Sequence, residues 1–248
     1  MKKSALITGG ARRIGRQIAL ALASQDYDIA LTYNKSEKEA LELKALITEK
    51  YGVKCEAFKC DLAEKENCLS LMNDALCDFP ELCVLVNNAS IFAKSDPIED
   101  VHHYEKNMAI HVFAPTILSS EFAKNVAKNN ILDANIINMV DKNITRTSTQ
   151  FFYYLLSKKT LNNLTKMLAV KLADKIRVNA IAPGYILDDD FIKNSPELSD
   201  KIISQIPLKK KGNVQNIISA VNYLLQNDYV TGQTLFVDGG ASLNANSE

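Results

Sequence analysis

The sequence lacks the charge imbalance and the long apolar runs that mark nucleic-acid-binding and membrane proteins. Its 29 basic and 29 acidic residues leave a formal net charge of zero, so neither a nucleic acid nor an acidic membrane surface is expected as a partner. No segment approaches the ~20 apolar residues of a spanning helix. The apolar run after Lys3 is only four residues long and ends in Gly-Gly, which is too short for a signal peptide. We therefore expect a cytoplasmic protein.

Cysteine and histidine are also scarce. The five cysteines and three histidines form no C-x-x-C pair and no grouping typical of a metal site, so no metal is expected. An odd, scattered set of cysteines indicates reduced thiols. Internal repeats, low-complexity tracts and linkers are absent from the sequence. Because 248 residues with 47% apolar content can fill one large core, we expect a single domain over residues 1–248.

Short apolar strands alternate with longer segments of helical periodicity along the chain. This alternation predicts an α/β fold with a doubly wound parallel sheet and helices on both faces, as in the Rossmann fold. The polar segment 188–211, which contains Pro196 and Pro207, predicts a lid or substrate loop. Strands are expected at 4–8, 28–33, 53–60, 83–86, 134–140, 176–181 and 234–237, and helices after Gly15 and at 36–50 (capped by Ser36), 64–77, 101–129, 151–173 and 214–226.

The first strand runs into a glycine turn, Gly9–Gly15, and then into a helix. Such a turn lets backbone N–H groups approach a diphosphate, whose negative charge the helix dipole favours. The turn contains no acidic side chain and two arginines, Arg12 and Arg13. Ordinary turn chemistry is the alternative interpretation. Asp61, Asn87–Asn88 and Asp141 follow other strands, so we expect them at the same sheet edge, where ligands bind in doubly wound sheets.

Tyr154 and Lys158 lie four residues apart in a predicted helix and therefore share one face. An ammonium beside a phenol favours the phenolate, so we expect Lys158 to lower the pKa of Tyr154 and make it a usable proton donor near neutral pH. Such pairs are also common in helices without any catalytic role. The expected position of Asp141 at the same sheet edge favours the catalytic interpretation.

Over essentially its whole length the chain resembles the short-chain dehydrogenase/reductases. The matching motifs are Thr8-Gly9, Asp61-Leu62, Asn87-Asn88-Ala89, Tyr154-x-x-x-Lys158, Arg177-Val178-Asn179, Pro183-Gly184, Thr231-Gly232 and Asp238-Gly239-Gly240. The resemblance implies a nicotinamide cofactor, with Asp61 by the adenine, Asn88 by the adenosine ribose and Lys158 on the nicotinamide ribose. The other cofactor contacts that we expect are Gly9, Arg12, Arg13, Ile14, Lys35, Ser36, Leu62, Ala89, Tyr154, Pro183 and Gly184.

The end of the second strand indicates which nicotinamide cofactor is used. The stretch Thr32–Ser36 contains no acidic residue to hold a ribose 2′-hydroxyl. Lys35, Ser36 and Arg12 instead offer cations and a hydroxyl suited to a 2′-phosphate. Glu37 could supply the missing acid, but we expect the helix start to aim it away. NADPH is the expected cofactor.

Three departures from the common family pattern make the chain most similar to the pteridine and dihydromonapterin reductases. Arg13 stands where most members have glycine, and Asp141 where most have serine. Ser90 replaces another glycine and precedes Phe92, which matches the aromatic residue that stacks on a pterin ring. This resemblance implies Tyr154, Lys158 and Asp141 as catalytic residues and Arg13, Ser90, Phe92, Asp141 and Tyr154 as substrate-binding residues.

Each departure also has a structural alternative. Arg13 could be a solvated cation at a helix start, Asp141 a helix cap, and Phe92 a core residue. His111 stands where most members have the asparagine of the catalytic tetrad. For this histidine, packing in a helix kink explains the sequence as well as a proton relay does, so it is not placed with the catalytic residues.

The resemblance implies NADPH-dependent reduction of a dihydropterin, of the dihydromonapterin, dihydrofolate or dihydrobiopterin type, to its tetrahydro form in folate metabolism. The alternatives are a carbonyl reductase, such as a 3-oxoacyl carrier-protein reductase, and an NADP-binding sensor without catalysis. Family members pair their two long helices across a two-fold axis, which implies a homotetramer. The long helices have more apolar positions than packing on one sheet face requires. The extra positions that we expect to be available for pairing between subunits are Leu155, Leu161, Leu164 and Leu168.

Overall fold

The computed structural model describes residues 2–92, 98, 100–147, 149–187 and 196–244. Its strands are β1 (Ser4–Ile7), β2 (Asp28–Tyr33), β3 (Cys55–Lys59), β4 (Leu82–Asn87), β5 (Ala134–Met139), β6 (Ile176–Pro183) and β7 (Thr234–Val237). Its α-helices are α1 (Arg13–Ala23), α2 (Glu37–Tyr51), α3 (Lys65–Asp78), α4 (Val101–Met108), α5 (Ala114–Asn129), α6 (Phe152–Lys171), α7 (Pro196–Gln205) and α8 (Val214–Gln226).

The seven strands form one parallel sheet in the order β3-β2-β1-β4-β5-β6-β7. The chain works outward from β1 to one edge and then returns to β4 on the other side of β1. This reversal is the switch point of a doubly wound sheet, beside which ligands bind. The predicted α/β Rossmann fold is confirmed.

The core lies in two layers, one on each face of the sheet. Leu6 and Ile7 are adjacent in β1 and both fully buried, but their side chains point to opposite faces because strand side chains alternate. Ile7 packs in the layer formed with α1, α2 and α8, and Leu6 packs with α3 and α5. Burial on both faces explains why the strands are almost continuously apolar. Within the described ranges, no helix has the length and apolar content needed to cross a membrane.

The single helix predicted over 101–129 contains a turn of π-helix, Ala109–Phe113, between α4 and α5. Pro115 lies in the first turn of α5. Proline has no N–H to donate to the carbonyl four residues earlier, and its ring clashes with that carbonyl. A widened turn relieves this conflict. The turn carries His111, so this histidine does lie at an irregularity of the helix.

Most other elements begin or end one to three residues from the predicted positions, and three differences have a physical reason. The segment 188–211 is not entirely a loop: residues 188–195 lie outside the described residues, but α7 covers 196–205. A proline at the first helical position is compatible with a helix and frequently begins one. Ser36 occupies the N-cap position of α2, yet its side chain makes no capping hydrogen bond within the described structure. Pro183 ends β6 rather than following it, so the strand is longer than predicted.

Candidate active site

The glycine turn between β1 and α1 lies at the carboxyl edge of the sheet. Gly9 has a φ of +61°, a conformation that favours glycine, and its N–H donates to Thr32 Oγ1 at 3.0 Å. A Cβ on Gly15 would lie 2.4 Å from the Gly9 carbonyl oxygen and 2.6 Å from Asn88 Nδ2. The first turn of α1 therefore packs directly on the glycine turn, as close backbone approach to a diphosphate requires.

Thr8 and Asn88 connect this turn to the end of β4. The hydroxyl of Thr8 accepts hydrogen bonds from the N–H groups of Asn88 and Ala89, at 2.9 and 3.0 Å. The side chain of Asn88 donates to the carbonyls of Thr8 and Gly9, at 2.9 and 3.3 Å. Asn88 thus supports the turn from below, a role in the protein itself that the sequence alone did not indicate.

Cations surround the open side of the turn. Arg13 is exposed and has a φ of +52°, which is rare for a residue with a side chain and is typical of functional sites. Lys35 is also exposed, after β2. Arg12 forms an ion pair with Glu39, with Nη1 and Oε1 3.5 Å apart, so it is not held solely for a phosphate. Glu37 accepts a hydrogen bond from the Tyr33 hydroxyl at 3.2 Å.

The remaining predicted cofactor residues lie at the ends of strands or in the first turn of α1. Asp61 follows β3 and accepts a hydrogen bond from the N–H of Ala63 at 3.0 Å. Gly184 follows β6, where an added Cβ would lie 2.5 Å from the Cα of Asp238. The other members of this set are Ile14 in α1, Leu62 after β3, Ala89 after β4 and Pro183 in β6.

Asp141 and Tyr154 form a hydrogen-bonded pair, in which the phenol hydroxyl donates to Asp141 Oδ2 at 2.9 Å. Asp141 Oδ1 accepts from the N–H of Asn143 at 2.7 Å and so begins a short 3-10 helix, Lys142–Thr145. The carboxylate therefore is a helix cap, as the structural alternative held, and it also contacts the tyrosine. One oxygen serves each purpose.

The pKa of Tyr154 is raised well above 10, contrary to the expected lowering. Burial is the largest cause, and the charge and hydrogen bond of Asp141 add to it; a hydrogen bond from Ser90 acts in the opposite direction. Lys158 does not reverse this, because it lies over the ring, 5.8 Å from the centroid, while its Nζ donates to the Met139 carbonyl at 2.8 Å. Tyr154 therefore holds its proton at neutral pH.

Lys158 is almost fully buried. Burial lowers the pKa of its ammonium to about 8, although the negative charge of Asp141 raises it. The lysine is thus mostly protonated at neutral pH and places a positive charge over the Tyr154 ring. This charge favours the phenolate that would remain after Tyr154 gives up a proton.

An aromatic wall forms one side of the site. The ring of Phe92 is 59% exposed, which rules out a core position. It stacks on Phe151 with centroids 4.5 Å apart and an interplanar angle of 10°, and it meets Tyr154 edge-on at 4.9 Å. Phe151 was not predicted as a site residue, although its position three residues before Tyr154, at the start of α6, was a usable signal.

A buried amide pair crosses the sheet beneath the site. Asn87 Nδ2 donates to Asn138 Oδ1 at 2.8 Å, and Asn138 Nδ2 donates to Thr165 Oγ1 at 2.9 Å. These residues join β4, β5 and α6 and so keep the strand ends that carry the site in register. Asn138 and Thr165 were not singled out from the sequence.

Comparison with known proteins agrees with this geometry. A family model described as enoyl-(acyl carrier protein) reductase matches residues 9–242. The chain belongs to the short-chain dehydrogenase/reductase family. The predicted family resemblance is confirmed, and with it an oxidoreductase that uses a nicotinamide cofactor. This short-chain dehydrogenase/reductase contains the Tyr154-x-x-x-Lys158 spacing on which the predicted resemblance partly rests.

Its relatives include reductases and dehydrogenases with different substrates. The 3-oxoacyl-[acyl-carrier-protein] reductase FabG of Staphylococcus epidermidis is 32% identical over 97% of this chain and 99% of that protein. The solved structure of FolM alternative dihydrofolate reductase 1 from Brucella canis, complexed with NADP, is 32% identical, with a TM-score of 0.89 over 98% and 96% of the two chains. An acetoin dehydrogenase from Enterobacter cloacae is 28% identical, with a TM-score of 0.89 over 100% and 98%.

Replacement of Asp141 by asparagine is expected to lower the pKa of Tyr154, because it removes a negative charge that raises this pKa. The change is measured by titrating the ultraviolet absorbance of tyrosinate. The signal of Tyr154 is obtained by subtracting the titration of the same protein with the additional change Tyr154→Phe. Asp61→Asn is the matched control, since it removes the same charge elsewhere on the sheet edge. Identical Tyr154 titrations with and without Asp141→Asn would contradict the effect of Asp141 on this pKa.

Proposed function

We propose that this short-chain dehydrogenase/reductase is an NADPH-dependent reductase of dihydropterins, of the dihydromonapterin, dihydrofolate or dihydrobiopterin type, acting in the cytoplasm and in folate metabolism. The observation that carries the proposal is the contact between the Asp141 carboxylate and the Tyr154 hydroxyl. A pterin offers N–H donors to a carboxylate and needs a proton at a ring nitrogen. The similarity to FolM alternative dihydrofolate reductase 1 supports the same conclusion.

The residues at the glycine turn fit a phosphorylated dinucleotide. Within the described residues, the side chain of the N-cap residue of α1 makes no capping hydrogen bond, and the first turn of this helix contains no acidic residue. The backbone N–H groups of that turn therefore suit a diphosphate. Lys35, Ser36 and Arg12 are proposed to hold the 2′-phosphate of NADPH. FolM alternative dihydrofolate reductase 1 was solved with NADP, which agrees with this choice.

When bound, NADPH supplies the hydride that reduces the C=N bond. Tyr154 is proposed as the proton donor, since its raised pKa keeps the hydroxyl protonated at neutral pH. The ammonium of Lys158 then favours the phenolate left behind. Asp141 orients the phenol and accepts hydrogen bonds from N–H groups of the heterocycle. Arg13, at the first position of α1, is proposed to bind the heterocycle as well.

The aromatic wall is proposed to hold the flat face of the substrate. One face of Phe92 is already stacked on Phe151, so the two rings form a single shelf. Phe92 leaves more than half of its surface exposed. Stacking on such a ring contributes about 0.5 to 1.5 kcal/mol beyond the burial of area. Ser90, two residues before Phe92, completes this side of the site.

A carbonyl reductase of the 3-oxoacyl carrier-protein type is the second candidate. The similarity to FabG over nearly the whole of both chains favours it. Against it stands Asp141, because a carboxylate beside the catalytic phenol would repel the negative charge that develops on a ketone oxygen during reduction. This second candidate predicts turnover of ketones and no affinity for pterins.

We further propose that the protein is a homotetramer without a nucleic-acid or membrane partner. The four leucines suggested by the sequence do not support this, because Leu155 and Leu161 are buried and Leu164 and Leu168 pack against the chain's own core. Other apolar side chains of the long helices are exposed instead. The rings of Tyr104 and Phe152 both contact the ring of Tyr153, which lies between them. The exposed set is Val101, Tyr104, Phe113, Phe152, Leu156, Met167 and Val170.

Light scattering at micromolar concentration is expected to show a tetramer. Leu156→Glu should dissociate it, because an unpaired charge in an apolar interface is strongly unfavourable. Leu41→Glu, at an exposed position of α2, is the matched control and should leave the mass unchanged. A wild-type monomer would refute the proposed assembly.

For the cofactor, Lys35→Asp is expected to raise the KM for NADPH roughly tenfold or more and to leave the KM for NADH nearly unchanged. The reason is the loss of a charge-assisted contact with the 2′-phosphate, which is worth ~1.5 to 3 kcal/mol. Lys38→Asp serves as control, since this exposed lysine faces Glu42 at 4.0 Å. The assignment is wrong if the wild type uses NADH with the same efficiency as NADPH.

For the substrate, oxidation of NADPH is followed with a panel of dihydropterins, dihydrofolate and simple ketones. Asp141→Ser should cripple dihydropterin reduction and Tyr154→Phe should abolish it, because these changes remove the paired carboxylate and the proton donor. Phe92→Ala should act mainly on the substrate KM, through lost stacking. Intact dihydropterin turnover in Asp141→Ser, or a wild type that reduces only ketones, would favour the carbonyl reductase.

A further inference from the structure

His111 is buried in the π-helical turn, and both nitrogens of its ring have hydrogen-bond partners. Nε2 lies 2.9 Å from the hydroxyl of Ser90 and 3.3 Å from the N–H of Ile91. Nδ1 lies 2.8 Å from the hydroxyl of Ser157. The ring therefore joins the segment after β4 to helix α6, through the widened turn between α4 and α5.

The partners of His111 determine its tautomer. The hydroxyl of Ser157 donates to the carbonyl of Tyr154 at 2.7 Å, so it can only accept from the imidazole, and Nδ1 carries the proton. The N–H of Ile91 can only donate, so Nε2 is an acceptor. Burial and the nearby charge of Lys158 lower the pKa of His111 well below 6.5, in agreement with a neutral ring.

This hydrogen-bond chain is not a proton relay. From Nδ1 it passes to Ser157 and ends on a backbone carbonyl, which has no proton to supply and is a poor base. The charged and titratable groups that face the network are Lys158, Asp141 and the Tyr154 phenol. None of them exchanges a proton with Nδ1 through this route. The geometry therefore assigns His111 a positioning role.

Ser90 connects His111 to the phenol. Its hydroxyl lies 2.9 Å from His111 Nε2, and the His111 ring packs edge-on against the Tyr154 ring with centroids 5.6 Å apart. Ser90 also acts to lower the pKa of Tyr154, against the larger effects of burial and Asp141. Ser90 and His111 are two of this chain's departures from the common family pattern of glycine and asparagine. The structure shows that the two departures contact each other.

We propose that Ser90 and His111 act as one unit, in which the neutral imidazole holds the Ser90 hydroxyl beside the Tyr154 phenol. When Tyr154 gives up its proton, the Ser90 hydroxyl turns from His111 Nε2 to the phenolate oxygen and keeps its own proton. Nε2 then retains the N–H of Ile91 as its donor, so no buried acceptor is left unpaired. This inference rests on the proposed role of Tyr154 as the acid but not on which substrate is reduced.

A double-mutant cycle on kcat tests the coupling. Ser90→Ala and His111→Asn should each lower kcat by roughly tenfold with little change in KM, since a hydrogen bond to a charged group is lost. The double variant should lose no more than either single variant. Ser90→Thr keeps the hydroxyl and should restore kcat. His102→Asn, the same change at an exposed residue of α4, is the control and should be silent.

Nitrogen-15 NMR of the wild type provides a readout without a substrate. With three histidines in the chain, the His111 signals are assigned from the His111→Asn variant, or from Ser157→Ala if that variant does not fold. The expected result is a neutral ring with the proton on Nδ1 throughout the range around pH 6.5. An Nε2–H tautomer, protonation in that range, or kcat losses that multiply in the double variant would overturn the inference.

The outcome of this test is separable from that of the proposed function. Failure of the pterin proposal appears as a wild type that does not turn over dihydropterins. Failure of the inference appears as independent effects of Ser90 and His111 on whichever substrate is reduced, or as the wrong tautomer in the resting protein.

Discussion

The junction of β1 and β4 at the centre of the sheet holds the two halves of the site together. The N–H of Thr8 continues the pairing by donating to Val86, and its hydroxyl receives the N–H groups of Asn88 and Ala89. Thr8 therefore connects the turn proposed to hold the cofactor, which follows it directly in the chain, to the segment proposed to contact the substrate, which its hydroxyl binds. A shift at this junction would move the Gly9–Gly15 turn relative to the aromatic wall, so the register of these two strands determines the geometry of the site.

The widened turn before Pro115 illustrates how a local conflict is put to use. A regular α-helix cannot satisfy the backbone ahead of this proline, and the extra residue in the turn resolves the conflict. In this position the buried imidazole of His111 is connected to Ser90 and Ser157, which belong to distant parts of the chain. A polar ring in the core is acceptable only because both of its nitrogens are paired.

The fold could be predicted from the sequence because strand and helix periodicities are strong and local. β2, β7 and α8 begin and end at the predicted residues, and the parallel order places Asp141 and Tyr154 at one edge. The π-helical turn could not be predicted, since one additional residue hardly alters the apolar pattern. The pKa of Tyr154 was predicted in the wrong direction because burial outweighs a nearby ammonium, and burial is a property of the folded chain. The position of Phe151 near Tyr154 was a usable signal, but its stacking on Phe92 depends on where two separate segments meet and could not be predicted.

Overall similarity does not distinguish the two candidate substrates, because this chain is equally identical to a 3-oxoacyl carrier-protein reductase and to an alternative dihydrofolate reductase. Function in a shared fold lies in the site, and here the discriminating group is Asp141. Two unit charges about 4 Å apart interact by about 4 kcal/mol at an effective dielectric constant of about 20. A carboxylate at hydrogen-bond distance from Tyr154 would impose an energy of this order on a ketone oxygen that becomes negative. A ring nitrogen is more basic than a ketone oxygen and can take up its proton before the hydride arrives, in which case it develops no negative charge. The N–H groups beside it would gain an acceptor. The proposal of a dihydropterin substrate therefore depends on this single position, because the same carboxylate would disfavour a developing oxyanion and would accept hydrogen bonds from the N–H groups of a pterin.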